Sequence, residues 1–103
     1  MKKLILLTAL MIPFFVQAAR PDVCLHVKET ATLIMAARQS GMGAEHAVKS
    51  VGEGAEEEQE YRAYMHIIIA AYEIPIYATE MFRGSIIREF ANKYYISCWK
   101  GTV

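Results

Sequence analysis

The chain has 103 residues, with 11 Lys and Arg side chains balancing 11 Asp and Glu, two cysteines and a hydrophobic content of 54%. That length suits one small domain, and the even balance excludes the clustered basic surplus by which nucleic-acid binders hold phosphates. The charge is unevenly spread: Glu53, Glu56, Glu57, Glu58 and Glu60 crowd one segment, while Arg83, Arg88, Lys93 and Lys100 lie towards the end.

Residues 1–18 read as an export signal. Lys2 and Lys3 precede the apolar run Leu4 to Val16, and Val16-Gln17-Ala18 brings a small residue before a cut. A run of 13 residues interrupted by Pro13 falls short of the roughly 20 that span a bilayer, so cleavage is expected and no membrane span remains after it. Pro21-Asp22-Val23 ahead of Cys24 lacks the small residues of a lipid-attachment signal. The expected mature chain is residues 19–103, a single periplasmic or secreted domain. Losing Lys2 and Lys3 leaves nine basic side chains against 11 acidic ones, a net charge of about −2. A domain this small buries only about 60% of its unfolded surface and is marginal without a staple.

The mature chain reads as an all-α bundle of three to four helices. Pro21 and Asp22 open the first, proline fitting the first turn and the carboxylate meeting the positive end of the dipole. Cys24, Val27, Ala31, Ile34 and Met35 share one stripe, and Ser40-Gly41 stops the helix. Ala44, Ala47, Val48 and Val51 repeat at helical spacing and predict a short second helix before Gly52 and Gly54. The third runs from about Ala55 to Tyr72, with Tyr61, Tyr64, Met65, Ile68 and Tyr72 on its stripe, widened by Ile67 and Ile69. This segment is expected to be the central helix, ended by Pro75. The fourth begins near Thr79 as N-cap, with Ile87, Phe90, Ala91, Tyr94 and Cys98 facing the core. Only Ile74 to Tyr77 hints at a strand.

Cys24 falls in the first turn of the first helix and Cys98 in the last turn of the fourth, both on apolar stripes. Antiparallel packing of those helices brings the sulfurs together, and an oxidising compartment favours the disulfide. The absence of a Cys-x-x-Cys spacing argues against a redox-active pair.

Chemistry-bearing residues are sparse. The glutamate run lacks the alternation and distal Glu of a calcium loop, and reads as carboxylates favoured by the third helix's dipole, with Glu58 and Arg62 spaced to pair. His26, His46 and His66 sit on three different helices, each without a second ligand at i+3 or i+4, so no metal or cofactor is implied. Asp22 is the sole aspartate, and neither a nucleophile elbow nor a phosphate loop occurs, which makes an enzyme the least favoured reading. Arg38 lies on the core stripe near the end of its helix. Its guanidinium is expected to cap the carbonyls there, the alternative being to hold an acidic group of a partner. Trp99 falls off the fourth helix's stripe on the side of Arg88 and Asn92. It is either an interface anchor or a residue that folds against the C-terminal tail.

The run Ile34-Met35-Ala36-Ala37-Arg38-Gln39-Ser40-Gly41, then Ala70-Ala71-Tyr72-Glu73-x-Pro75, then Phe90 with Tyr95 and Cys98, resembles a group of small exported helical proteins from proteobacteria and their phages. The resemblance spans most of the mature chain. It implies the helical fold and the Cys24–Cys98 pairing, and no catalytic residue. For a phage-derived chain, analogy of size and address implies a role in superinfection or lysis. The functional expectation is an exported interaction protein that binds another envelope protein through a surface with Trp99, Arg88 and Arg38 as candidate contacts. The alternative is a small-molecule or metal-binding envelope protein built around the tyrosine-rich core. An enclosed polar cavity would favour that alternative, and a filled core with an exposed Trp99 the protein partner.

Overall fold

The computed structural model describes residues 21–102; the leader, the expected cut before Ala19 and Val103 lie outside the described residues. Among these residues the fold is all-α, with four helices and no strand: α1 (Pro21–Gln39), α2 (Ala44–Gly54), α3 (Glu58–Tyr72) and α4 (Glu80–Lys100). No described helix is long and apolar enough to cross a membrane.

Local chemistry sets the helix ends. α1 is described from Pro21, with Asp22 in its first described turn. It closes at Gly41, whose φ of 89° lets the amides of Gly41 and Met42 return to the carbonyls of Arg38 and Ala37. α2 runs through Gly52 instead of stopping before it. A Cβ at Gly52 would lie 3.1 Å from Cε2 of Tyr61, so this glycine serves the close approach of α2 to α3 rather than ending the helix. α3 starts at Glu58, later than Ala55, because Ala55 and Glu57 are extended. Glu58 and Glu60 then occupy its first turn, where the dipole favours them. Glu58 and Arg62 form the expected i, i+4 ion pair at 3.0 Å, largely open to water, a kind worth about 0.5 kcal/mol or less. At α4, the Thr79 hydroxyl accepts from the Phe82 amide at 3.2 Å, and Gly101 at φ 76° closes the far end.

A disulfide joins Cys24 to Cys98 with Cα atoms 5.4 Å apart, fixing α4 antiparallel to α1. Tyr64 lies beside His26 and Tyr72 beside Arg38, so α3 runs parallel to α1, with α2 returning between them in sequence. α1 packs against every other helix, most extensively against α4 and next against α3, whereas α2 leans mainly on α3. The central helix is therefore α1 and not, as expected, the third segment. α1 can take that place because Cys24, Ala31, Ile34, Met35 and Gln39 bury a strip along its whole length.

The core joins Ile34 and Met35 to Tyr64, Ile67, Ile68 and Ala71 of α3 and to Phe90, Ala91 and Tyr94 of α4. The buried face of α3 is turned relative to the expected stripe: Tyr61 is 39% and Ile69 59% exposed, while Ala71 is fully enclosed. Wedging α3 between α1 and α2 selects the Tyr64, Ile67, Ile68, Ala71 side and leaves Ile69 in water.

At the end remote from the disulfide, side chains hold the connection 73–79, which forms no strand. Gln39 is 4% exposed. Its Nε2 donates to the Pro75 carbonyl at 2.9 Å and touches Met35 Sδ at 3.6 Å, while its Oε1 accepts from the Tyr77 amide at 2.9 Å. Arg83 donates to the carbonyls of Tyr77 at 2.7 Å and Ala78 at 3.1 Å. No buried side-chain nitrogen or oxygen among the described residues lacks a partner.

Candidate functional site

α4 spans 21 residues, about 31 Å, and residues 88, 92, 95 and 99 follow the i, i+4, i+7, i+11 spacing of one helix face. That face carries Arg88, Asn92, Tyr95 and Trp99, next to α1 rather than over the core. Trp99 is 39% exposed and meets Tyr95 edge-on, ring centroids 6.3 Å apart. From α1, Lys28 places its Nζ 5.5 Å from the Tyr95 ring centroid. Lys28 and Thr32 also share a shallow cleft of about 180 Å³ with Arg88 and Asn92.

Lys28 thus sits over the tyrosine of a tyrosine and tryptophan pair, Arg88 lies further along the same face with its guanidinium beside Gly84, and no carboxylate belongs to the set. Glu29 and Glu89 follow Lys28 and Arg88 in sequence and are turned away by about 100°. Neither Lys28 nor Arg88 has an ion-pair partner among the described residues. Trp99's ring partner is Tyr95, while the tail is held separately by Thr102, whose amide and hydroxyl both donate to the Ser97 carbonyl.

Arg38 is elsewhere. Its Nε donates to the Ile74 carbonyl at 2.8 Å and its guanidinium carbon sits 5.2 Å from the Tyr72 ring centroid, while the Tyr72 hydroxyl donates to the Met42 carbonyl at 2.8 Å. The guanidinium does cap a carbonyl, but one belonging to the connection 73–79 and not to the end of α1, whose own carbonyls are served by Ser40, Gly41 and Met42. Arg88 and Trp99 therefore lie on one helix face, about 16 Å apart along its axis, and Arg38 is placed on α1 beside the connection 73–79. Lys28 and Gln39 are the side chains that pattern reading passed over. Gln39 carried a legible signal, a polar residue one turn beyond Met35 on the buried stripe.

On the other side of α1, an open apolar groove of about 430 Å³ runs between α1 and α2, floored by Ile34, Val51 and Tyr64. Leu33 stands at its rim, 71% exposed. Tyr64 is the only one of the six tyrosines among its lining residues. Burial pushes its phenol above the usual value; a hydrogen bond to Thr30 opposes this and Glu60 adds to it. His26, His46 and His66 remain apart, and no three His, Cys, Asp or Glu side chains converge among the described residues.

Protein-family models, curated proteins and solved structures were all compared with this chain, and none matches it.

Proposed function

We propose that this chain is an exported, disulfide-stapled interaction module that docks on another protein of the cell envelope through the face formed by Lys28, Arg88, Tyr95 and Trp99. The observation that carries the reading is a part-exposed Tyr95–Trp99 ring contact with the Lys28 ammonium over Tyr95, on a helix face that also carries Arg88 and no carboxylate. Tryptophan, tyrosine and arginine are the residues that dominate interface energies, because they desolvate large rigid surfaces while keeping a polar handle. The export address is supported by the leader pattern and by a disulfide that persists where conditions oxidise thiols.

A small-molecule reading draws on the α1–α2 groove, whose 430 Å³ falls within the range of ligand sites. It ranks second because the groove is open and mostly apolar rather than an enclosed polar cavity.

A photo-crosslinking amino acid at Asn92, compared with one at Ile69 on α3, tests the docking reading in the native envelope. Asn92 should capture one envelope protein that Ile69 does not. Trp99→Ala should weaken that capture by about 2 kcal/mol or more while leaving the melting temperature nearly unchanged. Equal labelling from both positions, or a lower melting point with unchanged capture, removes this face from the functional account.

A further inference from the structure

The opposite flank of α4 carries a second pattern. Phe82, Ile86, Glu89, Lys93, Ile96 and Lys100 recur at alternating spacings of four and three, the seam of a paired helix. At 100° per residue the six fall within about 80° of one another and face roughly 130° from the buried residues of α4. Phe82 and Ile96 are 59% and 52% exposed, Ile86 is half-buried, and Glu89, Lys93 and Lys100 are exposed. A helix with apolar side chains on its outer flank as well as its core face has a surface that another helix can cover.

We infer that the occupant is a second copy of this chain, docked antiparallel along this seam. The charges decide it. Glu89 and Lys93 are four residues apart yet form no ion pair; Lys93 instead lies 5.7 Å from its neighbour Tyr94's ring centroid. When two copies meet about a twofold axis, the register that sets Glu89 against Lys93 of the other copy also sets Lys93 against Glu89. It places Ile86 on Ile96 twice and the stem of Lys100 on Phe82 twice, so the surface is complementary to itself. Parallel pairing in register would put Glu89 on Glu89 and Lys93 on Lys93 and is disfavoured by repulsion. The seam and the Lys28–Trp99 face lie on different flanks of α4, so a twofold dimer presents two copies of that face and the inference does not depend on the docking reading.

Sedimentation equilibrium of the purified oxidised protein over a wide concentration range tests this. A monomer–dimer equilibrium is expected, weakened by salt. Glu89→Lys and Lys93→Glu should each loosen the dimer by about tenfold, since each exchanges two opposite-charge contacts for two like-charge ones, and the double exchange should restore it. Ile96→Asp should leave only monomer. Circular dichroism should show native helicity in every variant, because the altered side chains lie in water. A monomer at all concentrations, a dimer indifferent to the single exchanges, or a double exchange that fails to restore pairing overturns the inference.

Discussion

The two ends of the bundle are held by different physics. At one end a covalent bond ties Cys24 to Cys98 across a sequence separation of 74. At the other, Arg38, Gln39 and Arg83 hold the connection 73–79 by its backbone groups. The staple acts chiefly on the unfolded chain, whose freedom it removes. The latch acts on the native state, where an amide taken out of water must find every partner or cost stability. A small domain with a limited core thus fixes its helix register twice, once through entropy and once through hydrogen-bond satisfaction.

Breaking the staple should have the largest effect. Cys98→Ala removes a constraint of about 4.5 kcal/mol in the chain-entropy model, so the melting temperature should fall by roughly 20 °C. Amide exchange should rise first in residues 21–28 and 95–102, with the latch still protected. An unchanged melting point would show that the staple adds nothing to the packed core.

Breaking the latch should cost less. Gln39→Leu strands the Pro75 carbonyl and the Tyr77 amide, a loss of about 2 to 3 kcal/mol read from denaturant unfolding. The residues Cys24 and Gln39 stand about 22 Å apart along α1, so the two substitutions should be additive within about 0.5 kcal/mol. Strong coupling would mean that the ends form one cooperative unit.

The smallest effect is a difference in alkaline sensitivity. Burial raises the phenols of Tyr64 and Tyr72; near the staple end Glu60 adds to the rise at Tyr64, while at the latch Arg38 opposes it at Tyr72. An unfolded tyrosine loses its proton near pH 10.0 and the native one later. The native state therefore holds more protons above that pH, and stability is full below it and falls as pH rises through the native values. Tyr64→Phe, which keeps the ring, should flatten the fall in melting temperature between about pH 9 and 11. An identical alkaline slope in that variant would assign the loss to other groups.

Most of the helical organisation was legible in the residues. Thr79 and Gly41 act as boundary signals because a hydroxyl cap and a left-handed glycine each satisfy backbone groups at a terminus. Gly52 misled because the same residue type serves close packing, and the third stripe was misplaced because Ile69 and Tyr61 are apolar enough to face either way. The Arg88 and Trp99 half of the candidate face followed from helical spacing along one element. Its Lys28 half comes from another helix and had no such signature.

The existence and order of the helices, the apolar stripes of α1 and α4 and the placement of both cysteines were set by the sequence itself, since they depend on neighbours within a few residues and on a fixed helical period. Tertiary structure alone decided that α1 is the hub, that Lys28 joins Tyr95 and Trp99, and that Arg38 and Gln39 serve carbonyls 36 residues away. Those choices depend on which helix faces which, and a hydrogen bond between a side chain and a distant backbone carbonyl leaves no periodic trace in the chain that forms it.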